Sequence, residues 1–283
     1  MTSWIRVPRK LRSEDGPRVR NYFLTLDDGD FASYYLSLFN AYAFAAANGR
    51  QLNVYDRSNP ISVSYPLLKE TFEPVDKVTY ASEMMSGVTV LGGQSDPRYA
   101  GLLTQMAPDL LRNVANRVLQ WTPAITERVN GIIAAQKLPP TFDIGVHIRS
   151  RSRFDTIRAP TTATYVAAVE DAVRIRKLKA PTVFVLVSDP ADFTDFARLA
   201  PKTWTLFQVS PNTTTIRGSN VNSFNRQNSA IKLNAYVEHV TELYCMQNCA
   251  TIISTLVSNV GKFLYLTAKS PVAFQSLDVQ VYS

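Results

Sequence analysis

Cysteine and histidine are scarce in this chain: 283 residues contain two of each. Cys245 and Cys249 lie in a segment patterned as a helix, so their side chains share a face, a geometry that argues against a bridge between them. No further Cys or His stands at ligand spacing, so the pair reads as small core residues and not as metal ligands. Charge is also sparse. Charged residues make up 19% of the chain and form no long runs, although the formal net charge is +7. The basic residues are scattered and no RNP-type aromatic pairs accompany them, which weighs against a nucleic-acid partner. Much of the excess sits at Arg6, Arg9, Lys10, Arg12, Arg18 and Arg20; this arm reads either as a solvated terminus or as a contact for phosphate or a membrane surface. No window approaches the roughly 18 apolar residues of a membrane span, and residues 1–20 hold no apolar h-region. The expectation is a soluble, cytoplasmic protein in a reducing compartment. Internal repeats and low-complexity tracts are missing as well.

The chain does contain 46% hydrophobic residues, enough to fill one large core or two of ordinary size. Its most informative stretch is FDIGVHIRSRSRFD, residues 142–155. The first half is an apolar run of the kind a buried parallel strand shows. After His147 it breaks into a loop carrying Arg149, Arg151, Arg153 and Arg158. Ligands of open α/β sheets sit outside the carboxyl ends of the strands, so arginines in such a place are set to meet an anion, and a phosphate-bearing substrate is the natural expectation. The competing reading is a solvated loop.

In chain order, residues 21–26 read as a strand and Asp27-Asp-Gly-Asp30 as a turn that caps the following helix. That helix, 31–48, is apolar all round and so should be buried against a sheet; Asn48-Gly49 ends it, and 51–55 forms the next strand. Residues 58–83 are irregular, with short apolar pieces at 75–80 and 88–91 that read as strands. Helices are expected over 99–119 and 123–137, and Leu138-Pro-Pro140 as a link between domains 1–140 and 141–283. Strands at 142–148, 182–187 and 204–209 then alternate with helices at 162–177 and 191–199, which argues for a parallel sheet with helices on both faces. Ser188-Asp189-Pro190 either lines a ligand cleft or caps a helix. A long helix, 228–249, and a short strand, 251–254, lead into TLVSNVGKFLYL, residues 255–266. Ser254, Thr255, Ser258 and Asn259 cluster where that strand gives way to a helix, a phosphate cradle in which free backbone N–H groups and the positive end of the helix dipole point at one spot.

Three segments carry a resemblance. TPAITERVNGIIAAQK at 122–137, followed by IGVHIR at 144–149, is similar to the centre of the α1,6-fucosyltransferases and their nodulation and protein O-fucosyltransferase relatives, where a helix leads into a strand ending in His-x-Arg. The opening strand, glycine turn, apolar helix and strand, with Gly29-Asp30 and Gly49-Arg50, resembles the start of the nodulation enzymes. The run at 255–262 resembles the family's Thr-x-x-Ser-Gln-Val-x-Arg. Together these cover most of residues 21–268, weakly between 56 and 97.

The resemblance implies an α/β protein of GT-B-like architecture, two Rossmann-type domains with parallel sheets facing across a cleft and the donor nucleotide bound mainly by the second. It implies an inverting, metal-independent glycosyltransferase without a cofactor, moving fucose from GDP-fucose to a glycan hydroxyl. In that frame Arg149 is the catalytic contact to the β-phosphate; His147 and Glu242 hold the guanine; Thr255, Ser258 and Asn259 lie near the phosphates with Arg151 and Asp189; Gly29 and Asp30 lie on the acceptor side. The chain departs from the family in several places. Ser150 stands where a second arginine is expected, Glu242 replaces Asp, Asn259 replaces Gln and Lys262 replaces Arg. The family's glutamate base is absent. Asp155 is the first carboxylate after Arg149, and it reads as acceptor base, as ion-pair partner of Arg158 or as a loop cap. These departures leave room for another donor, such as UDP-xylose or GDP-rhamnose, or for a non-catalytic nucleotide-binding role.

Overall fold

A computed structural model describes residues 21–25, 31–55, 71–76, 78–80, 89–91, 108–149, 160–187, 189–209, 229–268 and 274–278. The chain divides into two compact units, Met1–Pro123 and Ala124–Ser283.

In the first unit β1 (Asn21–Thr25), α1 (Phe31–Ala47) and β2 (Gln51–Tyr55) form the opening βαβ unit, followed by β3 (Val78–Tyr80), β4 (Thr89–Leu91) and α2 (Pro108–Val118). The strands pair in parallel in the order β3-β2-β1-β4. A helix this apolar has no face to give to water: Leu38, Phe39, Ala41 and Ala45 are all at most 1% exposed. Gly49 ends it with φ +66°, the left-handed conformation that a glycine adopts without steric penalty. Phe72 stacks on Trp121 with ring centroids 5.1 Å apart and Tyr35 packs edge-on against both, so part of the segment that read as irregular is core.

The second unit begins with α3 (Pro123–Ala135), whose first residue closes the preceding unit, and continues through β5 (Ile144–Ile148), α4 (Thr162–Arg176), β6 (Thr182–Val187), α5 (Pro190–Leu199), β7 (Thr205–Phe207), α6 (Ser229–Gln247), β8 (Ile252–Ser254), α7 (Asn259–Thr267) and β9 (Phe274–Ser276). All five strands are parallel, in the order β7-β6-β5-β8-β9. Each unit therefore starts in the middle of its sheet, builds outward one way and then crosses to the other side of its first strand, the doubly wound order of nucleotide-binding folds. β9 was not anticipated from the sequence, because three residues at a sheet edge carry too little pattern to register.

β5 is buried on both faces, as its apolar run implied. Ile144, Val146 and Ile148 join α4, α5 and β6 residues in one apolar core with Tyr165, Val169, Val185 and Phe196. The alternate residues Gly145 and His147 face α6, where a Cβ on Gly145 would lie 2.7 Å from Cys249 Sγ and 2.9 Å from Met246 Sδ. Glycine is what lets α6 seat on the sheet. Cys245 and Cys249 are free and buried, and burial pushes the Cys245 thiol up to about 12, as befits inert core residues. Because overpacking of this kind typically destabilises by about 1–3 kcal/mol, Gly145→Val should lower stability by that amount or more in a denaturant melt; an unchanged midpoint would show that α6 can shift to accommodate it.

Candidate functional site

β5 and β8 are neighbours in space although β6 and β7 lie between them in the chain, and ligands of doubly wound sheets bind at such a switch point, outside the carboxyl ends. The register Gly145↔Ile252 and Val146↔Ile253 fixes what meets there. His147 Nδ1 lies 2.9 Å from Ser254 Oγ, both buried, and the direction of that hydrogen bond follows the tautomer. Two residues on, Arg149 leaves the strand and donates from its guanidinium to the Val257 carbonyl oxygen at 2.9 Å. His147 is held neutral. Burial first, then the neighbouring His239 and Arg149, lower its pKa to about 3.

Ser258 is the N-cap of α7, buried, but its hydroxyl makes no capping bond to the helix. Asn259 opens the helix and Lys262 is exposed one turn later. A Cβ at Gly261 would collide with the Thr255 carbonyl oxygen and lie 2.9 Å from Ser254 Oγ, so only glycine allows α7 to start this close to the end of β8. The fully buried Thr255 hydroxyl has no hydrogen-bond partner, nor has the buried Tyr165 hydroxyl. Burial raises the Tyr165 phenol to about 12, with the Arg149 backbone and the Thr255 hydroxyl opposing part of that rise, and so keeps it a neutral donor.

The sequence left the backbone N–H groups of this turn free, and three of them are not: Ser258 N donates to the Thr255 carbonyl at 3.4 Å. Leu256 N and Val257 N each donate to the Asp278 carboxylate at 2.8 Å, and the Ser276 hydroxyl donates to the same carboxylate at 2.6 Å. What the turn keeps for a ligand is therefore at its far end, in the Ser258 hydroxyl at the start of α7.

α6 contributes Glu242, 4% exposed, with its Oε2 3.4 Å from His239 Nδ1. The Asp189 side chain accepts from Ala191 N at 2.9 Å and is the exposed N-cap of α5. Arg151, Asp155, Gly29 and Asp30 lie outside the described residues. His147, Arg149, Thr255, Ser258 and Asn259 thus come together at the carboxyl ends of β5 and β8, while Glu242 lies on α6. His239, Tyr165, Gly261 and Asp278 join them without having been singled out from the sequence. The His239-x-x-Glu242 spacing was a readable signal for one of these; a lone Ser-x-Asp after an edge strand was not. Among the described residues no three His, Cys, Asp or Glu side chains gather as metal ligands, and no helix is long and apolar enough to cross a membrane.

No family model matches the sequence, and no curated protein does. Solved structures do match over almost the whole chain. A NodZ α-1,6-fucosyltransferase soaked with GDP-fucose is 16% identical, with TM-score 0.50 over 89% of this chain and 93% of its own. Arabidopsis thaliana FUT1 in complex with GDP is 11% identical, with TM-score 0.52 over 91% of this chain and 70% of its own. POFUT1 in complex with GDP-fucose is 10% identical, with TM-score 0.50 over 90% and 97%. The fold is that of the GT-B fucosyltransferases.

His147 gives the site a pH signature. Its folded pKa lies below the ordinary value of 6.5, so the unfolded chain binds the extra proton between about 3 and 6.5 and stability is lost as pH falls through that window. The slope is about 1.4 kcal/mol per pH unit once the unfolded histidine is fully protonated. Comparing denaturant melts at neutral pH and near pH 5, His147→Gln should lose less stability on acidification than the wild type; equal losses would place the acid sensitivity elsewhere.

Proposed function

We propose that the protein is an inverting glycosyltransferase that binds a GDP-sugar, GDP-fucose by preference, at the carboxyl ends of β5 and β8 and passes the sugar to a glycan hydroxyl. The observation that carries this reading is the placement of Arg149, anchored on the Val257 carbonyl beside the N-terminus of α7. A guanidinium and a helix N-terminus that face one spot supply what a departing diphosphate needs, positive charge and directed N–H donors that are in place before the bond breaks. The α7 end contributes Ser258, whose hydroxyl is not spent on capping, and Asn259. The Thr255 hydroxyl, buried and without a partner, adds a further polar group to the same turn.

In this reading the acceptor oxygen bonds to the anomeric carbon from the face opposite the diphosphate. The bond from that carbon to the β-phosphate oxygen breaks, GDP leaves with the electron pair, and the acceptor proton passes to a carboxylate. Arg149 neutralises the charge that grows on the β-phosphate. Asp155 is assigned the proton on sequence grounds, as the first carboxylate after Arg149 along the chain. His147, held neutral, and Glu242, on the helix facing it, take the guanine, whose N1 and N2 hydrogens suit a carboxylate acceptor. On the sequence resemblance, Arg151 and Asp189 are assigned to the donor, and Gly29 and Asp30 to the acceptor. With arginine and a helix terminus in the role of a divalent cation, the transfer is metal-independent and needs no cofactor.

The test is a thermal-shift comparison followed by kinetics in excess EDTA. GDP at about 100 times its Kd should stabilise by roughly 2.7 kcal/mol, and more than UDP or ADP do. With a GDP-sugar, Arg149→Ala should lower kcat by about 10²- to 10³-fold with the fold intact. Stronger protection by UDP, loss of turnover on chelation or an Arg149→Ala variant of normal activity would each overturn a stated part of the reading.

A further inference from the structure

We propose that Asp278 is a positioning residue for Arg149, acting through the turn that follows β8; the inference rests on the donor-site reading above. β9 pairs with β8 in the register Ser254↔Ser276, and Leu277 N–H donates to the Ser254 carbonyl at 2.9 Å, so the ladder delivers residue 278 to the turn beside it. There the two carboxylate oxygens divide the work. Oδ1 accepts from Leu256 N and Oδ2 from Val257 N, each at 2.8 Å, and the Ser276 hydroxyl fixes Oδ1 at 2.6 Å. Successive backbone N–H groups converging on one anion form a nest of the kind that binds phosphate, and here the protein supplies the anion itself.

The consequence passes through Val257. The residue whose N–H is held by Asp278 is the residue whose carbonyl oxygen accepts from Arg149 at 2.9 Å. Asp278 thereby fixes the backbone on which the guanidinium rests. Both bonds to the carboxylate are charge-assisted, the stronger kind, and removing it leaves two N–H groups in a part-buried turn without their acceptor. The turn then relaxes and Arg149 loses a fixed support. An arginine that must be ordered when the ligand arrives binds a diphosphate less well than one already in place. Asp278 touches no ligand in this account, and its effect is confined to what Arg149 does.

The distinguishing measurement is the ratio of GDP to GMP affinity by calorimetry, because only the β-phosphate tells the two apart. In the wild type GDP should bind more tightly than GMP, and Arg149→Ala should erase most of that preference. Asp278→Ala should reduce it by about tenfold, the scale of a charge-assisted hydrogen bond, while leaving GMP affinity near the wild-type value. Asp278→Asn, isosteric and able to accept only one of the two N–H groups, should fall in between and decides the matter if the alanine variant does not fold. The double variant Arg149→Ala/Asp278→Ala should be no worse than Arg149→Ala alone, a non-additivity that general loosening of the fold would not produce. A folded Asp278→Asn variant with the wild-type ratio would overturn the inference, as would additive losses. So would tighter GDP binding than wild type, which would make Asp278 a competitor for the nest. A wild type that does not prefer GDP to GMP would instead bring down the donor-site reading, and this inference with it.

Discussion

The pairing of β5 with β8 is the constraint on which the rest of the second unit depends. It joins two segments more than a hundred residues apart in the chain, seating Gly145 against Ile252 and Val146 against Ile253. Once that register is set, His147 can only meet Ser254 and Arg149 can only reach Val257. The pairing in turn depends on two glycines. Gly145 admits α6 to the face of β5, and Gly261 admits α7 to the end of β8, where any side chain would strike the Thr255 carbonyl. A site of this sort is therefore built from packing first and chemistry second.

The energetics have a consistent sense. Burying a histidine, the Glu242 carboxylate and several hydroxyls at the carboxyl ends of β5 and β8, with Asp278 half-buried beside them, is unfavourable unless each group has a defined partner or is kept uncharged. His147 is uncharged and hydrogen-bonded, Asp278 is matched by two backbone amides and a hydroxyl, and Glu242 lies against His239. The Thr255 and Tyr165 hydroxyls are the exceptions, buried and unmatched. Polar groups left unmet beside Arg149 and the α7 terminus are a local cost of about 1–3 kcal/mol each, and such costs concentrate where a protein meets a ligand.

Much of this was legible in the sequence, and the reasons differ by element. The apolar runs of β5 and β6 and the all-apolar α1 announce burial on every side, because no other environment accepts them. His147 and Arg149 stood out because a hydrophobic strand that ends in arginines changes character in one step. The cradle at 255–259 was visible as small polar residues at a strand-to-helix junction. Asp278 was not, since its importance comes from a three-residue edge strand whose pairing is a tertiary fact. The occupation of the Leu256 and Val257 amides could not be foreseen either: a backbone donor looks the same in a sequence whether it is vacant or filled.

Fold likeness at 10–16% identity places the chain among the GT-B fucosyltransferases in architecture, and the residues at the switch point must supply the rest of the case. The most direct measurement is a crystal structure of the protein with GDP. The account expects the β-phosphate within hydrogen-bond distance of the Arg149 guanidinium and the first turn of α7, with the guanine edge at Glu242 and Asp278 still seated on the Leu256 and Val257 amides. A nucleotide bound with its phosphates away from Arg149 and the carboxyl ends of β5 and β8 would contradict it.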